Sequence, residues 1–135
     1  MPVADTELLF LLNPKDPRYK HALRILDELG STLLVPDVAL MEFEITLRSR
    51  NIEWEKVRKA LLAIRGILDD YGIMEVKTID SLMLIRHIEL MENYGLSYFD
   101  SLIAASALKI DNTIVSDDKD FDKVRGLKRI PITKT

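Results

Sequence analysis

The sequence predicts an α/β fold in which a parallel β-sheet lies between two layers of helices. Short apolar segments with strand character alternate along the chain with longer segments whose apolar residues recur at helical spacing. Strands that are joined through helices run parallel, and both faces of such a sheet are covered. The 135 residues are 47% apolar and contain no repeat or linker, so we expect one three-layer domain over residues 1–135.

Five segments have strand character. The segment at 32–36 is a short continuous apolar run, and the segment at 73–79 alternates apolar and polar residues. Only four residues precede Asp5, and a proline at position 2 is tolerated only as the first residue of a strand. The first strand is therefore expected to be unusually short. In chain order, the predicted strands are residues 3–4, 32–36, 73–79, 113–116 and 129–132.

The helical segments between these strands have recognisable ends. An aspartate at a helix start accepts hydrogen bonds from free N–H groups, and a glycine just past the last turn ends a helix without strain. The apolar repeat that begins at Trp54 predicts that this tryptophan is part of the core. The segment at 97–110 is apolar almost all round, which indicates a buried helix. The predicted N-caps are Asp16 (followed by Pro17), Asp37 and Asp80, and the terminating glycines are Gly30, Gly72 and Gly95.

Composition excludes several classes of protein. Without cysteine the chain has no disulfide and no thiolate zinc site, which fits a reducing cytoplasm. Charged residues interrupt every apolar run, so no segment is predicted to cross a bilayer, and the N-terminus lacks the basic region of a signal peptide. We therefore expect a cytoplasmic protein. The net charge of −3 argues against a purely electrostatic nucleic-acid binder.

Positive charge is nevertheless concentrated in two tracts. The first tract carries six basic residues between Arg48 and Arg65 against two acidic ones. The second runs from Lys119 to Lys134. Most of these side chains are expected to lie on solvated helix faces and tails. Beside an acidic site, however, they would also supply contacts to phosphate groups.

Acidic residues follow the strands at one edge of the predicted sheet, where parallel sheets bind their ligands. Asp5 follows the first strand, and Asp117 and Asp118 follow the fourth. Asp100 lies in the first turn of the buried helix, and Glu42 lies one turn into the helix after the second strand. Each has an ordinary explanation by itself as a helix cap, a partner of the helix dipole, a solvated side chain or a turn residue. Four separate segments nevertheless deliver a carboxylate to the same edge.

Convergence of these acids requires a compensating positive charge. Two carboxylates about 4–5 Å apart repel by roughly 3–4 kcal/mol at an effective dielectric of about 20. A small domain tolerates several such pairs only if a proton or a cation offsets them. Mg²⁺ and Mn²⁺ bind oxygen ligands, need few protein carboxylates and retain water, which is a candidate nucleophile. Two such ions would change the net charge from −3 to −3 + 4 = +1, which is compatible with a nucleic-acid substrate.

Four segments resemble the motifs of the PIN-domain ribonucleases. VADTELLFLL resembles the opening strand–Asp–Thr motif, and ALMEFEITL resembles the second motif, whose acid is Glu42. SYFDSLIAASAL closely resembles the third, whose acid is Asp100. The resemblance extends over the whole chain. IVSDDKDFDKV resembles the fourth motif, in which the aligned residues are Ser116, Asp118, Asp120 and Phe121.

This resemblance implies a Mg²⁺- or Mn²⁺-dependent endoribonuclease that hydrolyses RNA phosphodiester bonds with a metal-activated water. It also implies a sheet in the order 3-2-1-4-5. Family members are often toxins that pair with an antitoxin protein, and they commonly form homodimers. The implied catalytic acids are Asp5, Glu42, Asp100 and Asp118; the implied metal ligands are Asp5, Asp100 and Asp118, with Glu42 and Asp120 as further candidates; the hydroxyls that orient them are Thr6 and Ser116.

Two departures from the family pattern bear on the fourth motif. Serine stands at 116 where threonine is commoner, and Asp117 adds a carboxylate where the family more often has a neutral residue. Adjacent residues that leave a strand point to opposite sides, and the alignment places Asp118 inside the crevice with Ser116. We then expect Asp117 to be solvated or to cap the turn and Asp122 to lie on an exposed short helix. Asp120 would either reach a second metal or cap that helix.

The homodimer would need exposed apolar surface, for which Phe10, Leu11, Tyr19 and Trp54 are the candidates in the sequence. Two alternative functions stay open. A phospho-receiver domain also clusters acids on a parallel sheet, but it needs an acidic pair after the first strand, where this chain has Asp5 and Thr6. The same fold without catalysis would serve as an RNA-binding or partner-binding module, which the presence of four acids disfavours.

Overall fold

The computed structural model describes residues 1–133 and contains a five-stranded sheet in the order β3-β2-β1-β4-β5. All neighbouring strands are parallel. Both the predicted three-layer α/β/α class and the implied strand order are confirmed. Lys134, the end of the second basic tract, lies outside the described residues. The strands are β1 (Val3–Ala4), β2 (Leu34–Pro36), β3 (Met74–Val76), β4 (Thr113–Val115) and β5 (Lys128–Ile130).

Six α-helices connect these strands. The last of them is the predicted buried helix, since all seven residues from 101 to 107 are buried. It packs against the third helix and against the central strands β1 and β4. Within residues 1–133, no helix combines the length and the apolar character that a membrane span needs. The helices are α1 (Thr6–Leu11), α2 (Tyr19–Leu29), α3 (Asp37–Ser49), α4 (Trp54–Tyr71), α5 (Ser81–Tyr94) and α6 (Tyr98–Ile110), with 3-10 turns at Gly30–Thr32 and Lys119–Lys123.

Both edge strands are shorter than the sequence predicts. The ladder between β4 and β5 closes with a hydrogen bond from the Ser116 N–H to the Ile130 carbonyl at 3.0 Å. Pro131 follows and has no N–H with which to extend it. At the opposite edge, β3 ends at Val76 because the chain turns Thr78 toward Asp37 instead of continuing the ladder. Side-chain contacts and proline, rather than the apolar pattern, therefore set these strand ends.

One of the three predicted N-caps is confirmed. The Asp80 carboxylate accepts a hydrogen bond from the Met83 N–H at 2.8 Å and caps α5. Asp16 is not the cap of α2, which begins three residues later; its carboxylate accepts from the Arg18 N–H in the turn before the helix. Asp37 is the first residue of α3 rather than its cap. In both cases the residue type indicates a helix start, but the side chain bonds elsewhere.

The Asp37 carboxylate connects α3 to the segment that follows β3. It accepts hydrogen bonds from the Thr78 N–H at 3.1 Å, the Thr78 hydroxyl at 2.6 Å and the Ile79 N–H at 3.3 Å. The buried Thr78 hydroxyl also contacts the Ser106 hydroxyl on α6 at 2.8 Å. Bonds of this kind to a charged acceptor are stronger than neutral ones. This network therefore fixes the β3 edge against two helices of the core.

The exposed apolar surface differs from the expectation. Trp54 is 60% exposed, so its prediction as a core residue is wrong; it is the first residue of α4 and lies against Arg48 instead of the core. Leu11 is buried and offers no surface to a partner, and Phe10 and Tyr19 are partly buried. The structure also exposes large apolar residues that the sequence analysis did not name as surface, including Met41 and Ile45 on α3 and Leu82, Ile85 and Ile88 on α5.

We expect Asp37→Ala to lower the free energy of unfolding by about 2–4 kcal/mol. The substitution leaves the buried Thr78 groups and the Ile79 N–H without their charged acceptor. Urea denaturation monitored by circular dichroism measures the change. Asp70→Ala is the matched control, since Asp70 is exposed on α4, and its effect should stay within about 0.5 kcal/mol. Equal effects of the two substitutions would contradict the role assigned to Asp37.

Candidate active site

Four elements bring their acidic residues to one cleft at the carboxyl edge of the sheet. Asp5 follows β1, Glu42 lies in the second turn of α3, Asp100 lies in the first turn of α6 and Asp118 follows β4. The cleft has a volume of about 260 Å³. All four predicted acids thus line a common space, together with Thr6, Glu7, Phe10 and Thr46.

Asp5 is buried and held by a hydroxyl from the neighbouring strand end. The Ser116 hydroxyl donates a hydrogen bond to Asp5 Oδ2 at 2.6 Å and accepts one from the Asp118 N–H at 3.0 Å. Asp5 stands at the N-cap position of α1, but its side chain makes no capping hydrogen bond. Capping therefore does not explain this aspartate. The structure instead places the Ser116 hydroxyl between Asp5 and the backbone that carries Asp118.

The pKa of Asp5 is raised to about 7. Burial is the main cause, because it penalises the charged form, and the negative charges of Asp100, Glu7 and Glu42 raise the pKa further. The hydrogen bond from Ser116 acts in the opposite direction but does not compensate. In the absence of a cation, this carboxyl group is therefore poised to keep its proton near neutral pH.

The pKa values of Glu42 and Asp100 are raised as well. Burial raises both pKa values, and the Asp100 charge contributes to the shift at Glu42. The Thr6 hydroxyl lowers the pKa of Glu42, which places it beside that carboxylate, although the buried hydroxyl makes no hydrogen bond of regular geometry within residues 1–133. The site thus contains three half-buried or buried acids with raised pKa values and one hydroxyl without a full partner.

The fourth acid, Asp118, faces the cleft as the alignment predicts. Its carboxylate also accepts a hydrogen bond from the Asp120 N–H at 2.9 Å, so Asp118 and not Asp120 caps the 3-10 turn. Asp120 is exposed and pairs with Lys123 at 3.3 Å, yet its charge contributes to the raised pKa of Asp100. Asp120 therefore borders the cleft without lining it.

Asp122 lies on the exposed short helix as predicted, and an arginine binds it. Arg129 Nε donates to one carboxylate oxygen of Asp122 at 2.9 Å and Nη2 donates to the other at 3.2 Å. The third nitrogen of the same guanidinium, Nη1, donates to the Ser116 carbonyl at 3.2 Å. Arg129 therefore attaches the 3-10 turn to the end of β4.

Asp117 has a role that the sequence did not predict. Its carboxylate accepts hydrogen bonds from the Ile132 N–H at 2.7 Å and from the N–H and hydroxyl of Thr133 at 2.9 and 2.7 Å. Burial alone would raise the pKa of Asp117, but these hydrogen bonds and the nearby Arg18 charge hold it below its usual value. The expectation of a solvated or turn-capping Asp117 is wrong. This aspartate instead binds the segment that follows β5.

Glu7 is the acidic residue of the cleft that sequence reasoning missed. Its negative charge contributes to the raised pKa values of both Asp5 and Asp100. Its carboxylate accepts a hydrogen bond from the Asp117 N–H at 3.0 Å and pairs with Arg18 at 3.2 Å. The available signal was its position two residues after Asp5. Since Arg18 already neutralises it, Glu7 is a weaker candidate for a ligand than the other acids.

The donor set fits a hydrated divalent cation, but it is not a closed ligand cage. Within residues 1–133, no three acidic, histidine or cysteine side chains are close enough together to hold one ion as they stand. Mg²⁺ needs only one or two protein carboxylates and retains several waters. Carboxylates that repel one another and a hydroxyl without a full partner are groups that such a hydrated ion would satisfy. The chemistry of the donors therefore matches Mg²⁺ or Mn²⁺.

Comparison with protein families gives one match that spans nearly the whole chain. The family model described as PIN domain matches residues 3–127. No curated protein is similar enough in sequence to match. The matched span includes every acid that lines the cleft.

Solved structures with the same fold have low sequence identity to this chain. VapBC2 from Rickettsia felis, bound to a promoter DNA fragment, has a TM-score of 0.72 at 18% identity and covers 96% of each chain. A toxin–antitoxin complex from Klebsiella pneumoniae has a TM-score of 0.72 at 15% identity and covers 100% of each chain. VapC20 from Mycobacterium tuberculosis, a toxin that cleaves the sarcin–ricin loop, has a TM-score of 0.71 at 17% identity and covers 90% of this chain and 93% of its own. At such identities the likeness shows a shared fold.

We expect Asp5→Asn to stabilise the metal-free protein above pH 7. The folded chain keeps the Asp5 proton up to a pKa of about 7, whereas an unperturbed aspartate has a pKa of 3.8. The folded state therefore binds this proton more tightly than the unfolded state does. The stability that the bound proton contributes is fully present below about pH 4 and is lost as the pH rises through 7. The shift corresponds to a contribution on the order of 4 kcal/mol.

The measurement is the free energy of urea unfolding between pH 4 and 8 with a chelator present. The stability advantage of Asp5→Asn over the wild type should grow across this range. Asp122→Asn is the control, because Asp122 is exposed and bound by Arg129 outside the cleft. If the wild type and Asp5→Asn follow parallel curves from pH 4 to 8, Asp5 is not the group with the raised pKa.

Proposed function

The chain belongs to the PIN-domain family, and we propose that it is a Mg²⁺- or Mn²⁺-dependent endoribonuclease that hydrolyses RNA phosphodiester bonds. The observation that carries the proposal is the cleft in which Asp5, Glu42, Asp100 and Asp118 converge from four separate elements. A raised pKa of about 7 at Asp5 supports it, since such a site gains stability by binding a cation. Family membership disfavours the phospho-receiver alternative.

In this proposal Asp5, Asp100 and Asp118 hold the metal, with Glu42 beside them and Asp120 at the border of the cleft. When bound, the ion supplies positive charge to the phosphate and lowers the pKa of a bound water so that it becomes a nucleophile. Ser116 fixes the Asp5 carboxylate through Oδ2 and leaves Oδ1 for a ligand in the cleft. The Thr6 hydroxyl has the corresponding position beside Glu42.

We further propose that the protein is a toxin whose partner is an antitoxin protein. Support comes from the similar structures, which include toxin–antitoxin complexes and a toxin that cleaves the sarcin–ricin loop. The runner-up is a binding module of the same fold without catalysis. The convergence of four acids in one cleft disfavours that alternative. Mn²⁺-dependent RNA cleavage by the purified chain separates the two.

The homodimer is also a proposal, and α5 is the surface that best fits it. Leu82, Ile85 and Ile88 recur every three residues on this helix and are 76%, 54% and 48% exposed. A two-fold axis would place this apolar stripe against its own copy, which buries the same residues on both chains. Neither Phe10 nor Leu11 offers a comparable exposed stripe.

We expect Asp118→Asn to reduce Mn²⁺-dependent RNA cleavage by about a hundredfold or more, as the loss of a catalytic metal ligand should. Asp120→Asn should have an intermediate effect, and Asp122→Asn should stay within severalfold of the wild type. Asp117→Asn should lower the melting temperature while the folded enzyme stays within severalfold of wild-type activity, because Asp117 binds Ile132 and Thr133 rather than the cleft.

Initial rates on a labelled RNA, with melting temperatures of the same samples, test these four variants. Mn²⁺ should also raise the melting temperature of the wild type and not that of Asp118→Asn. An inactive Asp117→Asn together with an active Asp118→Asn would show that the assignment of this loop is wrong by one residue. A wild type that neither cleaves RNA nor gains stability from Mn²⁺ would favour the binding module.

Ile85→Glu should convert the dimer to a monomer, because it places two carboxylates opposite each other in an apolar contact. Light scattering at tens of micromolar measures the mass. Leu62→Glu, at a residue of α4 that is 61% exposed, is the control and should remain dimeric. A monomeric wild type, or a dimer that persists in Ile85→Glu, would contradict the α5 interface.

A further inference from the structure

We propose that the corner between α3 and α4, residues 48–54, binds single-stranded RNA beside the acidic cleft. The proposal rests on the proposed ribonuclease function. Two arginines of this α3–α4 corner lie over aromatic rings. Arg50 Cζ is 5.1 Å from the ring centroid of Phe10, and Arg48 Cζ is 4.2 Å from that of Trp54. Positively charged groups held on aromatic rings are the elements with which proteins bind single strands.

Arg50 continues the cleft along one face of α3. Glu42 and Thr46 share a face of α3, and the cap residue Arg50 continues it, because its N–H bonds to the Thr46 carbonyl at 3.2 Å. Glu42 and Thr46 line the cleft, so Arg50 stands one turn beyond it. Phe10, under the Arg50 guanidinium, lines the cleft as well and packs against Phe43 with ring centroids 4.8 Å apart. A packed ring thus holds the Arg50 charge next to the acids.

The Arg50 guanidinium is free to bind a phosphate. Among the nine arginines of the sequence, the ion pairs within residues 1–133 involve Arg18, Arg24, Arg65, Arg86 and Arg129. Arg50 is exposed and has no such pair. The contact with the Phe10 ring is a cation–π contact and not an ion pair, so the positive charge of Arg50 is left for a phosphate oxygen. Arg50 is therefore placed to bind the phosphate that neighbours the scissile phosphate in the cleft.

Trp54 supplies the second half of the surface. It is 60% exposed, yet its position is fixed, because Arg48 lies over its ring and also donates a hydrogen bond to the Ile52 carbonyl at 2.7 Å. Asn51 has a φ of 60° and turns the chain between the two helices. An exposed tryptophan with one face covered by an arginine has an edge and a face left for a nucleobase.

Charge favours RNA over an apolar peptide as the occupant of this surface. Residues 48–58 carry four basic side chains and two acidic ones, although the whole chain has a net charge of −3. One of the two acids, Glu55, is already paired with Lys59 at 3.3 Å. The corner is continuous with a cleft that is proposed to take a phosphodiester. An amphipathic peptide in the groove beside Trp54, which Val57, Leu61 and Leu62 also line, is the competing occupant.

The test is the affinity for a short single-stranded RNA, measured by fluorescence anisotropy with a chelator present so that the RNA is not cut. Arg50→Ala should weaken binding about tenfold and reduce the slope of log K against log salt by about 0.7, as one lost phosphate contact should. Trp54→Ala should also weaken binding about tenfold but leave the slope unchanged, because stacking is not ionic. Arg50→Lys should retain the slope.

Arg65→Ala is the matched control. It removes the same charge from the same basic tract, but Arg65 is paired with Glu75 at 3.3 Å and is not part of the corner. Its affinity should stay within twofold of the wild type. If Arg65→Ala changes the slope as much as Arg50→Ala, binding is diffuse and the proposal is wrong. If Trp54→Ala binds RNA like the wild type, the proposal is also wrong.

RNA cleavage and RNA binding at the α3–α4 corner are measured separately, so either proposal can fail without the other. A wild type that binds RNA through Arg50 and Trp54 but does not cleave it with Mn²⁺ would refute the nuclease and retain the binding surface. If the wild type cleaves RNA, but Arg50→Ala and Trp54→Ala bind RNA as well as the wild type does, the binding surface alone is refuted. Unchanged melting temperatures of the variants, whose altered side chains are exposed, would show that they are folded.

Discussion

The arrangement of the site depends on the burial of one carboxylate, Asp5, at the end of the central strand. β1 pairs with β2 on one side and β4 on the other, so the residue that follows it is surrounded by the ends of neighbouring elements and loses its water. A buried negative charge needs hydrogen bonds or a cation. Ser116 supplies one hydrogen bond, and the raised pKa of Asp5 shows that this is not sufficient. Because no positive charge in the described part of the chain compensates the buried carboxylate of Asp5, the cleft is a candidate metal site.

The loop after β4 divides two adjacent aspartates between structure and site. Asp118 turns into the cleft and caps the following 3-10 turn, while Asp117 turns away and holds the backbone of the segment after β5. Opposite orientation of adjacent residues at a strand end makes this division possible. Because Asp117 has several hydrogen-bond donors and a lowered pKa, it stays ionised without a metal. The two residues have the same side chain but different surroundings, since one lines the cleft and the other binds the backbone after β5.

Helix α3 connects two regions of opposite charge. Its second turn carries Glu42 into the acidic cleft, whereas Arg48 in its last turn and the cap residue Arg50 lie over aromatic rings. In the proposed nuclease the acids would bind the metal and the arginines the strand. A chain with a net charge of −3 would thus attract RNA locally although its overall charge opposes binding. Screening by salt limits that overall repulsion to about 10 Å, whereas direct contacts persist.

The sequence by itself determined the fold class, the identity and order of the strands and helices along the chain, and which acids follow strands, because apolar periodicity and helix-end residues are local properties. The order of strands in the sheet came from the family motifs. Only the tertiary structure decided that Asp37 bonds to Thr78 and Asp117 to Thr133, and that the Ser116 hydroxyl bonds to Asp5 in particular, at a separation of 111 residues. It also decided that Trp54 is exposed. Hydrogen-bond partners, burial and pKa shifts depend on which distant groups are brought together, and local pattern does not contain that information.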